Sequence, residues 1–256
     1  MFRPRVIPTL LLKNKGLVKT VNFSKEKYIG DPINAVRIYN EMEADELVFL
    51  DITATIENRL PSIDLIKKIS DEAFMPFTVG GGIKSIEDAK EMISAGAEKI
   101  VINSASVTKP NLITEVSNLF GKQSVIVSID VKKNFWGKDK VYINSGTKQT
   151  SLNPLEHAKN VEKLGAGEIF LTSIDNEGLM KGYNIELCKK VSEAVNIPVI
   201  ANGGAGNIQD FKQVINGGEV HAVAAGSLFV YQGPKRGVLI NYPVKKELEN
   251  MFDKES

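Results

Sequence analysis

Two carboxylates end runs of apolar, β-branched sequence: Asp51 after Glu46-Leu47-Val48-Phe49-Leu50, and Asp130 after Ser124-Val125-Ile126-Val127-Ser128-Ile129. An aspartate at the end of a buried strand is placed for general acid–base work on a small polar molecule; the competing roles are loop capping and pairing with a cation. Two glycine-rich stretches accompany them, Pro76-Phe77-Thr78-Val79-Gly80-Gly81-Gly82-Ile83 and Pro198-Val199-Ile200-Ala201-Asn202-Gly203-Gly204-Ala205-Gly206. Each follows an apolar run and precedes a helix opening, at Ser85 and at Asn207. Backbone N–H groups in such a turn, with the positive end of a helix dipole behind them, attract an anion. Two of these loops suit a ligand carrying a phosphate at each end.

The elements that must position these groups follow one plan. Short strands are expected at 5–12, 46–51, 77–79, 99–103, 124–130, 168–172, 199–201 and 222–225, and a helical stretch follows each. Asp31-Pro32 caps and starts the first helix, whereas Gly96 and Gly121 stop later ones. Strict alternation of strand and helix over this length is the pattern of an α/β (β/α)8 TIM barrel, one domain over 1–256. Glu46-Leu47-Val48-Phe49-Leu50 echoes Glu168-Ile169-Phe170-Leu171-Thr172, and Asn103-Ser104-Ala105 echoes Gly226-Ser227-Leu228, about half the chain apart. The repeat divides the barrel into halves at about 1–120 and 121–245.

Function in a barrel collects at the C-terminal ends of strands and the loops after them. The expected set is Lys19, Asp51, Gly81, Gly82, Asn103 and Ser104 from the first half, with Asp130, Thr172, Asp175, Gly203, Gly204, Gly226 and Ser227 from the second. Aligning the halves on their first strands sets Leu11 over Asp130. An acid–base pair across the mouth needs both positions ionisable, and one is leucine.

Net charge is +1, from 32 basic and 31 acidic residues, so no global field directs the chain to nucleic acid or an anionic membrane. A single cysteine, Cys188, excludes an internal disulfide framework and reads as a small buried residue. No apolar run reaches the roughly 18 to 20 residues that span a bilayer, and a cytoplasmic location is expected. His157, read on a polar helix face, and His221 have no ligand partners at metal-site spacing, so neither metal nor cofactor is expected. Phe135 and Trp136 are read as a lid over the mouth or as packing for a long loop, and 245–256 as a final amphipathic helix fraying into a charged tail.

The motifs Val18-Lys19, Gly30-Asp31-Pro32, Ala44-Asp45-Glu46-Leu47-Val48-Phe49-Leu50-Asp51-Ile52-Thr53-Ala54, the two glycine loops, Gly165-Ala166-Gly167-Glu168-Ile169 and Leu171-Thr172-Ser173-Ile174-Asp175 carry a resemblance. The chain resembles, nearly end to end, the cyclase subunit of imidazole glycerol phosphate synthase, a bisphosphate-binding barrel that receives ammonia from a glutaminase subunit. The resemblance implies phosphate sites at Gly81, Gly82, Asn103 and Ser104 and at Gly203, Gly204, Gly226 and Ser227, with Lys19 near the substrate. It implies a catalytic aspartate at Asp130 and another where Leu11 stands. It also implies an ammonia gate of Arg5, Glu46, Lys99 and Glu168 on the N-terminal face, where the glutaminase docks.

The first strand, with Leu11, and the segment Gly233-Pro234-Lys235-Arg236-Gly237-Val238-Leu239-Ile240-Asn241-Tyr242-Pro243 resemble a divergent branch associated with glycosyl amidation. That branch implies ammonia delivery to a surface-polysaccharide or nonulosonic-acid sugar, with a separate sugar amidotransferase as third partner. The alternative is an ordinary cyclase of histidine biosynthesis whose missing acid is Asp51 or Asp175. The remaining reading is a non-catalytic subunit that binds a phosphorylated sugar.

Overall fold

A computed structural model describes residues 3–253 and closes eight parallel strands into a ring. They are β1 (Arg5–Lys13), β2 (Leu47–Asp51), β3 (Phe77–Gly80), β4 (Lys99–Ile102), β5 (Val125–Lys133), β6 (Glu168–Ser173), β7 (Val199–Asn202) and β8 (Ala222–Ala225). Each strand pairs in parallel with the next, and β8 returns to β1 with Arg5 opposite Ala222 and Pro8 opposite Ala225. This is the α/β (β/α)8 barrel expected from the alternation.

Around the ring lie α1 (Pro32–Glu41), α2 (Ile63–Glu72), α3 (Ile86–Ser94), α4 (Asn111–Phe120), α5 (Pro154–Leu164), α6 (Ile185–Ser192) and α7 (Gln209–Gly218), followed by α8 (Lys245–Asp253). Local chemistry sets several of their ends. The Asp31 carboxylate accepts from the Asn34 N–H with Pro32 in the first turn, Ser85 and Asp88 form a reciprocal capping box, and α5 ends at Gly165 in the left-handed region. A charged tail over 254–256 lies outside the described residues.

Side chains alternate along each strand between two apolar layers. Inside the ring Ile7, Val48, Val101, Ile126, Phe170, Ile200, Ala222 and Ala224 pack on one another. Outside it Val6, Leu10, Phe49, Ile100, Val127, Ile169 and Leu171 pack under the helices. The barrel interior is therefore a packed core, and polar chemistry is confined to its two ends.

Two stretches expected as loops are hairpins. Gly16–Val21 and Ser24–Gly30 pair with each other, and the first of them runs antiparallel to the overhanging end of β1, with Leu11 opposite Val18. Likewise Asp139–Ile143 pairs antiparallel with the end of β5, Asp130 opposite Tyr142. Both come about because β1 and β5 run past the barrel rim and leave an edge that an adjoining segment completes. Phe135 and Trp136, at the tip of the second hairpin, stack edge-on at 5.4 Å and are 93% and 79% exposed. Neither lines the mouth cavity, so the lid role is corrected, and the two rings pack on each other in the long loop.

His157 is also corrected. It is buried on α5 with Pro154, Ala158 and Val161, the spacing of the inward-facing helical stripe.

Candidate active site

The C-terminal ends of the strands surround one cavity. Of the expected residues, Lys19, Asp51, Gly81, Asn103, Asp130, Thr172, Gly203, Gly204, Gly226 and Ser227 line it, and so does Leu11. Asp130 is 7% exposed. Its carboxylate accepts from Asn103 Nδ2 and Ser128 Oγ, each at 3.1 Å, and from the Thr172 hydroxyl. Burial pushes the carboxyl up to about 6, and these three neutral donors only partly offset it. A group titrating there exchanges protons readily near neutral pH.

The other lining carboxylates are Glu26, Asp51 and Glu177. Asp51 is ion-paired with Arg59 at 2.6 Å and accepts from the N–H groups of Thr53 and Ala54, while Glu26 is bridged by Lys13. Glu177 accepts from Thr20 Oγ1 at 3.0 Å and the Phe23 N–H at 3.1 Å, which ties the first hairpin down over the mouth. Lys19 is the one lining cation among the described residues. Its ammonium donates to the Thr9 carbonyl at 2.5 Å, and burial pulls it down to about 8 against the weaker pull of Glu177 upward. Gly226 lies against it, and a Cβ there would stand 2.2 Å from Lys19 Nζ, so the ammonium would have to shift.

At the opposite end of the barrel Arg5, Glu46, Lys99 and Glu168 form a closed ring of ion pairs. Arg5 bridges Glu46 and Glu168, and Lys99 reaches Glu168 at 2.8 Å and Glu46 at 3.4 Å. Burial alone would raise the Glu168 carboxyl, but Arg5 and Lys99 outweigh it and hold it below the ordinary value. Thr78 Oγ1 donates to Glu46 at 3.0 Å. The ring and the mouth are separated by the interior apolar layer.

The sequence profile of the histidine biosynthesis protein family matches residues 5–234. The "Putative imidazole glycerol phosphate synthase subunit hisF2" of Pseudomonas aeruginosa is 49% identical over 97% of this chain and 99% of its own length. The "Putative imidazole glycerol phosphate synthase subunit HisF" of Leptospira interrogans is 46% identical over 98% of this chain and all of its own length, 100%. "Imidazole glycerol phosphate synthase subunit HisF" of Alkaliphilus metalliredigens is 47% identical over 90% of this chain and 92% of its own length. The chain belongs to the HisF family of histidine biosynthesis proteins.

In this HisF-family barrel three expected residues stand back from the cavity. The Gly82 N–H donates to Thr55 Oγ1, Ser104 Oγ joins Asn103 Oδ1 to the Asn144 N–H, and Asp175 accepts the Lys133 N–H at 2.9 Å. Asp175 thus lies outside the cavity, whereas Asp51 lines it with Arg59 paired to its carboxylate. Residues the sequence reading passed over are Ser128, Arg59 and Glu177. Ser128 was recoverable, since it lies two residues before Asp130 on the same strand face. Glu177 and Arg59 reach the site through loops, for which periodicity gives no signal.

No helix among the described residues is long and apolar enough to cross a membrane, and no cluster of three or more metal-ligating side chains occurs among them.

Proposed function

We propose that this HisF-family barrel is the ammonia-using subunit of a glutamine-dependent synthase and closes an imidazole ring on a bisphosphate substrate held across its mouth. The observation carrying the proposal is Asp130, buried at the mouth with no cation against it among the described residues, its carboxyl pushed up to about 6 by that burial. It takes a proton from the attacking nitrogen and returns it to the departing oxygen. Lys19, brought to about 8 by burial in the same cavity, is the second group able to move a proton near neutrality and stands in for the absent first aspartate.

The glycine loops at Gly81 and at Gly203-Gly204, with Gly226 and Ser227, take the phosphates. A glutaminase subunit docks on the N-terminal face, and neutral ammonia enters through the ring of Arg5, Glu46, Lys99 and Glu168. The relatives' names favour this reading over sugar amidation.

A second reading rests on Leu11. Leucine at the place of a catalytic acid removes half of a proton-transfer pair, which suits a barrel that passes ammonia on to a separate sugar amidotransferase. One experiment separates the two. The purified chain and its Leu11→Asp variant are supplied with ammonium and the bisphosphate precursor of imidazole glycerol phosphate, and product is followed. Turnover with Leu11 in place supports the synthase. Silence in the native chain, with or without a gain in the variant, overturns it in favour of ammonia transfer.

A further inference from the structure

We infer that His157, through Ser106, is a positioning residue for the carboxylate at the mouth. His157 belongs to α5, outside the ring of strands, and lies 3% exposed. Its Nε2 is 3.0 Å from Ser106 Oγ, itself buried. Ser106 Oγ donates to the Asn103 carbonyl at 2.7 Å, and the Ser106 N–H donates to the same oxygen at 3.0 Å. Asn103 in turn donates its side-chain amide to Asp130 Oδ2 and to the Ser128 carbonyl, each at 3.1 Å. A continuous chain of contacts therefore runs from a helix on the outside of the barrel to the candidate acid–base group.

The directions of these bonds follow from proton counting. A serine has one O–H proton, and here it goes to the Asn103 carbonyl. The imidazole nitrogen must then be the donor, so Nε2 carries a proton. Burial pulls the His157 pKa down to about 4, so the ring is neutral at pH 7 with that proton its only one. The backbone geometry shows why a clamp is needed. Asn103 sits between β4 and the short helix Ser104–Thr108, at φ −111° and ψ −85°, and its side chain makes no cap bond to that helix. Left to itself, an asparagine at a helix start turns its side chain onto the helix N–H groups. Holding the Asn103 carbonyl with two donors fixes the turn and keeps the amide pointed at Asp130.

The other charged groups lining the cavity are Lys19, Glu26, Asp51 and Glu177, and Arg59 pairs with Asp51. None of them is hydrogen-bonded or ion-paired to His157 or Ser106. A shift in Asp130 would then report the Asn103 bond, which favours the ionised carboxylate.

The inference rests on Asp130 being the working group of the proposed function, yet its test needs no substrate. The midpoint of Asp130 is read by NMR from carboxyl-labelled aspartate, assigned with Asp130→Asn, in the full chain and in four variants. Asn103→Ala is expected to raise the midpoint by about one unit, the loss of one hydrogen bond to a charge. His157→Leu and Ser106→Ala are expected to raise it by about half a unit or more in the same direction. His157→Gln, whose amide nitrogen replaces Nε2 as donor, is expected to keep the native midpoint.

An unmoved midpoint in both His157→Leu and Ser106→Ala, alongside a raised one in Asn103→Ala, overturns the inference. Should His157→Leu fail to fold, Ser106→Ala decides alone, because it leaves the imidazole in place. An inactive chain that shows the expected shifts would remove the proposed function and leave the positioning role standing.

Discussion

Leu11 and Asp130 occupy the same level of the barrel in opposite halves. Leu11 lies three residues beyond Pro8, which faces Ala225, and Asp130 lies three beyond Val127, which faces Ile102. The two halves thus present a hydrocarbon and a carboxylate at equivalent places, and in the proposed reaction acid–base work is assigned to Asp130 and Lys19.

Asp130→Asn should lose activity and gain stability together. Removing a positioned acid–base group lowers turnover by about 100-fold or more. The native carboxyl titrates near 6, above an unfolded value of about 3.9, so the folded state binds the proton more tightly. Its contribution to stability is full below about pH 4 and is lost as pH rises through 6. Urea unfolding at pH 8 should therefore show the asparagine variant more stable by about 1–3 kcal/mol, with the gain vanishing toward pH 4.

Lys19→Met tests the buried ammonium with a different pH signature. The native amine titrates near 8 and the unfolded one at about 10.4, so the folded state gives up its proton first. The burial penalty is present in full below pH 8 and disappears as pH rises through about 10.4. Methionine should stabilise the chain by about 1–3 kcal/mol at pH 7, less whatever the bond to the Thr9 carbonyl contributes, and by nothing near pH 11. Thermal unfolding across that range is the measurement, and ammonium-dependent turnover should fall in parallel.

The ring at the N-terminal end should respond non-additively. Glu46 is 2% exposed and faces Arg5 and Lys99, so Glu46→Ala strands cationic charge and should cost about 3 kcal/mol in urea unfolding. Replacing Arg5 and Glu46 together by methionine removes charge in balance and should cost less than the single change. In the proposed complex the double variant should uncouple glutamine-dependent turnover while leaving turnover with free ammonium within about threefold, a ratio read by running both nitrogen sources side by side.

Alternation of apolar runs and amphipathic stretches, together with the repeated glycine loops, determined the barrel and placed Asp130, Lys19, Asn103 and Gly203 at its mouth, because period and order are local properties of a chain. Leucine at position 11, in the place equivalent to Asp130, was legible for the same reason: a half-chain repeat aligns residues without coordinates. Pairing across distance was not. Asp51 became a structural ion-pair partner through Arg59, Lys19 became a buried amine through the hairpin that returns along β1, and His157 joined the site through Ser106 and Asn103. These assignments depend on burial and on which side chains meet from separate loops and helices. Desolvation and hydrogen bonding then set which groups move protons, and both exist only once the ring has closed.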